Sequence, residues 1–446
     1  MSVHTNRLGR AERSSRFRPG LLAKALAAVA LLGCGDVLDV ENPNNLQEEN
    51  LAAASSARAL AAGAAATVSR SLGAILGPYS TVGDEVSWRG SRDAWLQLDL
   101  GNLADPANEF TDDAFRYVGE GRWLADEAVR RLEAFDAANQ LLDSRGRPDR
   151  APLARAYLFA AVSYMTIADM FDDFALSDRR TPAPPVGETG MAAFYTKAIG
   201  YLDKGIAIAQ AIKNVTLENE LLAVRARAKY SLALWPKLHP AVVPNALVSD
   251  AGANADATLL LSRAAPDFRA LIILENDDLA YAGEASLAYN IQQRGELRIA
   301  PAFAALTDPI TNQPDPVVKR AIDGLNADYV YQKITIASAR EMHLILAEAA
   351  LAANDIPTFT LRINALRALD GLTPWAGQIP ALDMLRHSRK VNLFLQGRRL
   401  ADLYRFGERS PQWSANSTAV QSPGTFFPIT CIEIRSHPED FQGTSC

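Results

Sequence analysis

RKVNLFLQGRRLADLYRFG, residues 389–407, sets five basic residues and an apolar stripe within nineteen positions of a 446-residue chain whose formal net charge is −6. Such a stretch is either a basic patch that grips an anion or a piece of scaffold. Val391, Phe394 and Leu395, then Leu400, Leu403 and Phe406, recur near helical spacing and predict one helix with a buried face. Arg398 and Asp402 stand four positions apart and are expected to pair, in the less favourable order for the helix dipole. The other basic groups are expected to lay their stems on apolar surface and to neutralise acids elsewhere. The stretch therefore reads as scaffold, and the fold has to supply what surrounds it.

Composition agrees with a folded helical protein. Hydrophobic residues make up 48% and charged residues 22% of the chain, which is normal for a globular protein. Alanine dominates many segments and favours helix. The length allows one large domain or two to three ordinary ones.

The first 33 residues differ from the rest. Arg7, Arg10, Arg13, Arg16, Arg18 and Lys24 precede a short apolar run that ends at Cys34. Residues 1–33 read as a secretory leader, because the run is shorter than the roughly 20 apolar residues a spanning helix needs. A Cys directly after a small residue resembles a bacterial lipobox, which implies cleavage before Cys34 and lipid on its sulfur. The alternative is an ordinary leader with an incidental Cys. Removing the leader leaves 39 basic against 50 acidic residues, a net of −11. Nucleic acid is then a poor partner, since its phosphates need a basic surface. Membrane contact would come from the lipid. After export Cys431 and Cys446 would sit where paired cysteines usually bridge, so a disulfide pinning the C-terminal tail is expected, with two free thiols as the alternative.

Along the chain, residues 45–73 predict a long helix with a glycine end. Residues 78–108 carry no sustained period and read as a long loop, the kind that is usually functional in a compact chain. A helix over 109–138 with a glycine pair in it follows, then the clear amphipathic pattern Leu153, Ala156, Tyr157, Ala160, Tyr164, Ile167. Two more helices cover 191–212 and 217–234, the second ended by Trp235-Pro236. Residues 236–337 are less regular, with short extended pieces and Pro/Asp/Asn turns. A short-loop helix pair then fills 338–371. Helix pairs of this length with small residues at their contacts indicate tetratricopeptide-like stacking.

These blocks together resemble the SusD/RagB family of outer-membrane nutrient-binding lipoproteins. The resemblance rests on the lipobox-like LLGC with DVLDVENPN after it, on ARAYLFAAVSYMTIADMFDDF, on REMHLILAEAALAAND with INALRALDGL, and on residues 389–407. In that last block Gly397, Arg398, Asp402, Leu403, Arg405 and Gly407 match the family pattern, and FFPIT at 426–430 stands where the family has a Pro-Ile-Pro turn. Asn392 and Gln396 stand where the family commonly has Glu, and Phe406 where it has Trp. The resemblance implies a mainly α fold. It is an α-superhelix of tetratricopeptide-like helix pairs with an irregular, loop-rich lobe holding a few short strands. Residues 34–446 would be one domain, with the scaffold at 45–235 and 338–407, the lobe at 236–337 and a tail at 408–446. It also implies a lipid-anchored protein on the outer face of the outer membrane. That protein captures a nutrient, often an oligosaccharide, and acts as the lid of a SusC-like TonB-dependent β-barrel transporter, with no cofactor and no bond chemistry of its own.

The residues offer no catalytic constellation against this. His4, His239, His343, His387 and His437 form no close metal pair, and His343 does not share a helix face with Glu341 or Glu348. No nucleophile elbow, P-loop or dinucleotide fingerprint occurs. Asp172 and Asp173 are adjacent and cannot face one another as acid and nucleophile. A sugar site needs aromatic faces and polar groups that orient hydroxyls. Tyr79, Asp84, Trp88, Arg92 and Trp95 in the irregular segment supply both and are the candidate ligand-binding residues, with Trp88 or Trp95 as the stacking surface. The competing expectation is that both Trp residues pack the segment onto the helices. A lipid-anchored helical-repeat adaptor that binds proteins is the alternative function.

Overall fold

The computed structural model describes residues 51–178, 181–273, 286–328, 333–441 and residue 446. The leader at 1–33 and Cys34 lie outside them. In chain order the described residues form α1 (Ala57–Val82), β1 (Val86–Trp88), α2 (Asp93–Asp99), α3 (Glu109–Ala137), α4 (Ala151–Met170), α5 (Ala192–Ala211) and α6 (Val215–Leu238). Next come α7 (Ala251–Arg263), β2 (Arg269–Ile273), α8 (Leu287–Gln292), β3 (Leu297–Ile299), α9 (Pro301–Ala304), α10 (Pro316–Asp328) and β4 (Lys333–Ser338). The chain closes with α11 (Ala339–Ala352), α12 (Ile356–Leu369), α13 (Ala381–Asn392), α14 (Arg399–Arg405), α15 (Thr418–Gln421) and α16 (Cys431–Ser436). The fold is mainly α, with a few short strands.

Helices adjacent in sequence pack in pairs: α3 on α4, α4 on α5, α5 on α6, α6 on α7, and α11 on α12. α4 is buried on nearly every face rather than along one stripe, enclosed by α1, α3, α5 and α6. Its alanines 154, 156, 160, 161 and 168 are all buried and let neighbouring backbones come close. Gly205 on α5 serves the same contact, since a Cβ there would lie 2.8 Å from Leu221. Side-chain caps start several helices: Asn108 for α3, Asn214 for α6, Asp250 for α7, Ser338 for α11 and Asp355 for α12. A second apolar cluster, with Phe359, Ile363, Trp375, Met384 and Leu385, joins α11, α12 and α13.

The described residues also form two antiparallel two-stranded sheets. Trp88 of β1 faces Leu297 of β3. Arg269 and Ile273 of β2 face Ser338 and Lys333 of β4, with an irregularity at Ala270/Leu271.

Glycine and proline shape the helices at four places. The first helix does not end at Gly73 but runs to Val82, through Pro78. Gly77 marks a close approach instead, because a Cβ there would sit 3.1 Å from the Trp95 ring. The expected long loop is therefore the last turns of α1, then β1 and α2. In α3 the glycines do not interrupt the helix; a Cβ on Gly121 would sit 3.1 Å from Ser71 on α1. α6 passes through Pro236 and ends at Leu238.

The fourth place is the stretch at 389–407. It is not one helix. α13 stops at Asn392 and α14 starts at Arg399, with Leu395 at φ 58° and Gly397 at φ 73° between them. The apolar residues are buried as expected, and the charged ones except half-buried Lys390 are buried with them. Asp402 takes no partner from Arg398; it accepts from Arg389 Nε at 2.9 Å and Arg405 Nε at 2.9 Å. Arg398 reaches Glu341 at 2.9 Å on α11. Arg399 reaches Asp84 at 3.1 Å and Glu408 at 2.8 Å. The break turns successive arginines toward acids on different elements, which a continuous helix could not do. The stretch is scaffold.

Candidate functional site

The expected ligand residues separate into two sets. Tyr79 is 1% exposed on α1 and meets Phe427 edge to face at 6.4 Å. Trp95 is 2% exposed on α2 and stacks on Phe110 at 3.8 Å. Asp84 is buried and holds Arg399. These three belong to the core, where neither ring has a face open to a ligand, because buried area is what a large aromatic most often supplies. Trp88 and Arg92 remain at the surface side. Trp88 is half-buried at the end of β1, and its backbone N–H donates to Asp99 at 3.1 Å. Burial pushes the Asp99 carboxyl up to about 6. Glu296 accepts from the backbone N–H of Ser91 at 3.0 Å and of Arg92 at 3.1 Å, which fixes the bend after β1. Arg92 pairs with Glu109 at 2.8 Å and lies 4.9 Å from the centre of the Phe110 ring.

Two clefts lie elsewhere. One, of about 340 Å³, is lined by Phe115 and Trp123 of α3, Phe174 and Ser177 of the loop after α4, and Ile432 and Glu433 of α16. The disulfide Cys431–Cys446, with Cα atoms 5.5 Å apart, holds the tail beside it. The other, of about 300 Å³, lies between the β2–β4 pair, α10 and the turn from α13 to α14. Thr335, Ser338, Asn392 and Gln396 are its polar lining, and Arg269, Arg320, Lys333 and Arg340 its cations. Arg340 is buried and fixed by Asp267 at 2.6 Å, Asp370 at 2.6 Å and Asn392 Oδ1 at 2.9 Å. Asn392 and Gln396, the amides in place of family glutamates, thus both face this cleft. Its residues come from positions 267–396, and Trp123 lies in an otherwise ordinary helix pattern, so no local signal in the sequence singled them out.

Asp308, Asp315 and His387 bring ligand atoms within 4.8 Å of one another. All three side chains already have partners within the chain. Asp308 accepts from Arg367 at 2.8 Å and Thr311 N at 2.9 Å, Asp315 caps α10 at Val317 N, and His387 Nε2 lies 2.9 Å from Asp315. This is an ion pair and a helix cap. His343 is pulled down to about 4 by burial, with Arg362 and Arg340 adding to it, so it stays neutral and packed. Asp172 and Asp173 bond loop backbone, to Phe426 N at 2.9 Å and Gly187 N at 2.7 Å.

No protein-family model matches the chain, and no curated protein does. Solved structures match over nearly its whole length. A SusD superfamily protein from Bacteroides thetaiotaomicron VPI-5482 aligns with TM-score 0.58 and 14% identity, over 86% of this chain and 98% of that one. A SusD superfamily protein from Bacteroides vulgatus ATCC 8482 gives TM-score 0.57 and 13% identity, over 85% and 96%. Surface glycan-binding protein A from Bacteroides thetaiotaomicron, solved in complex with laminarihexaose, gives TM-score 0.53 and 12% identity, over 84% and 97%. At this identity the likeness is one of fold, and it agrees with the resemblance carried by the order of the sequence blocks. The chain has the SusD-like fold.

Proposed function

We propose that this chain is a surface-exposed lipoprotein that captures an oligosaccharide and serves as the lid of a SusC-like TonB-dependent outer-membrane transporter. The observation that carries the reading is the match in fold, over 84% of this chain and 97% of that one, to a surface glycan-binding protein solved with laminarihexaose. Cys34 would carry the lipid once the leader is removed. In this reading Trp88 offers the stacking face and Arg92 orients hydroxyls beside it, on a bend that Glu296 holds rigid. Binding residues on a loop fixed by a scaffold suit capture without catalysis.

The test is calorimetric titration of the mature protein with laminarihexaose and a panel of other oligosaccharides, together with detergent extraction of the tagged protein from its native membrane. Saturable glycan binding and co-purification of a barrel transporter are expected. Absence of both would remove the reading. Co-purification of soluble assembly proteins without glycan binding would favour the adaptor.

A further inference from the structure

We infer that Glu296 sets the affinity of the capture site without touching the ligand, by holding Trp88 and Arg92 in a fixed relation to each other. The inference rests on the glycan-capture reading and adds the positioning residue that governs its strength.

Glu296 stands directly before β3, 205 positions after Ser91, and gathers the bend after β1 with its backbone and its side chain. The Glu296 carbonyl accepts from the N–H of Arg89 at 2.9 Å and of Gly90 at 3.1 Å. The carboxylate takes the next two: Oε2 accepts from Ser91 N at 3.0 Å and Arg92 N at 3.1 Å, and Oε1 from the Ser91 hydroxyl at 3.2 Å. Gly90 permits this closeness, since a Cβ there would lie 2.6 Å from Glu296 Cα. At the near end Trp88 faces Leu297 in the β1–β3 pair, and Asp99 accepts its N–H at 3.1 Å. Every peptide N–H from Trp88 to Arg92 therefore has a fixed acceptor, and four of the five end on Glu296.

Glu296 is itself buried. Burial alone would raise its carboxyl, but the N–H groups of Arg92 and Ser91, with the Ser91 hydroxyl and the Arg92 charge, outweigh that and hold it below the usual range. It stays ionised, with both oxygens as acceptors. Burying a carboxylate to fix a turn is costly. The core gains little from it, because Arg89, Ser91, Arg92 and Asp93 are exposed. Such exposed polar bends are ordinarily the more mobile parts of a protein. A binding site gains more, because side chains ordered beforehand lose less freedom when the ligand arrives.

The experiment titrates the mature protein with laminarihexaose and the oligosaccharide panel, well below the melting temperature of each variant. Amide hydrogen exchange over residues 88–92 reports the bend in the free protein, and circular dichroism checks folding. Glu296→Leu removes the acceptors, Glu296→Gln keeps an acceptor oxygen, and Gly90→Ala pushes the bend off Glu296. Glu296→Leu and Gly90→Ala should speed exchange in the bend and weaken binding about tenfold, the scale of freeing one or two ordered side chains. Glu296→Gln should stay within about threefold of the wild type. In a Trp88→Ala background Glu296→Leu should add little, because the ring it positions is gone. A residue that served stability alone would lower the melting temperature and leave affinity intact. If Glu296→Leu fails to fold, Gly90→Ala with Trp88→Ala completes the same cycle. The inference is overturned if affinity is unchanged while exchange quickens, if exchange stays slow, or if the effects of the bend and of Trp88 are strictly additive. Binding that Trp88→Ala weakens and Glu296→Leu does not would leave glycan capture standing. Absence of binding to every saccharide would remove both.

Discussion

Arg405 of α14 and Glu348 of α11 have no exposed side-chain surface, and they pair with each other. Arg405 Nη2 lies 3.2 Å from Glu348 Oε2 and 2.9 Å from the Tyr230 hydroxyl, which itself donates to Glu348 at 2.8 Å. Glu348 also accepts from Val248 N at 2.9 Å. The pair ties α6, α11 and α14 to the segment before α7. Arg405→Met would leave the buried carboxylates of Glu348 and Asp402 to share Arg389, and should cost about 3–5 kcal/mol. Arg405→Met with Glu348→Gln should cost less than the two changes added separately. Urea unfolding of the set measures this; strict additivity would refute the coupling.

Glu85 gives a pH dependence of opposite sign to a salt-bridged acid. Burial pushes it from 4.5 up to about 8, against the pull of the Leu395 N–H on its Oε1. The folded state then holds a proton that the unfolded chain releases. Its contribution is complete below about 4.5 and is lost as pH rises through about 8. Glu85→Gln should remove this component, so wild type and variant should diverge steadily in denaturant midpoint across that window. Parallel curves would refute it.

Asp402 acts at the acid end. Burial alone would raise its carboxyl, but Arg389 and Arg405 outweigh that and hold it below the usual range. Its contribution is present above the unfolded value of 3.8 and is lost as pH falls through the lower folded value. Asp402→Asn should flatten the acid limb of stability against pH, read by circular dichroism during acid titration.

Gly397 and Gly407 share positive φ, at 73° and 63°, but not their surroundings. A Cβ on Gly397 would lie 2.5 Å from Met170 Cε and 3.2 Å from Leu76 Cδ2, while on Gly407 it would meet nothing within 4 Å. Gly407→Ala should cost only the dihedral penalty, about 1–2 kcal/mol. Gly397→Ala should exceed it by about 1–3 kcal/mol for overpacking. Thermal melts compare them, and equal costs would show that Met170 makes room freely.

Trp88→Ala and Trp95→Ala should fail in different assays. Trp95 stacks on Phe110 inside the core, so its removal should lower stability by about 3–5 kcal/mol. Trp88→Ala should weaken glycan affinity about tenfold with a smaller loss of stability. A Trp88→Ala protein with unaltered glycan affinity would take that residue out of the site.

Helix pairs were legible because their pattern is local. The repeat of Leu153, Tyr157 and Tyr164 announces α4 without any neighbour present. What closes α1 at Val82 rather than Gly73 is not local, since Gly77 answers to Trp95, eighteen positions on. The same holds for residues 389–407. Their scaffold role shows in the apolar spacing, but local spacing pairs Arg398 with Asp402, whereas Arg398 takes Glu341, 57 positions away. Desolvated charges answer to the acids that the fold brings near them. In the ligand segment, composition could name Tyr79, Trp88 and Trp95 but not say which ring faces inward. Trp88 is half-buried at the edge of the core, whereas Tyr79 and Trp95 lie inside it.

Several arginines of residues 389–405 pair with acids that precede them in the chain. Asp84 precedes Arg399 by 315 positions, and Glu348 precedes Arg405 by 57. Until residues 389–405 are in place, the interior cannot close without enclosing the carboxylates of Asp84, Glu341 and Glu348 away from these cations. A chain cut short before Arg389 is therefore expected to be more sensitive to proteases, so closure of the interior waits on the residues from 389 onward.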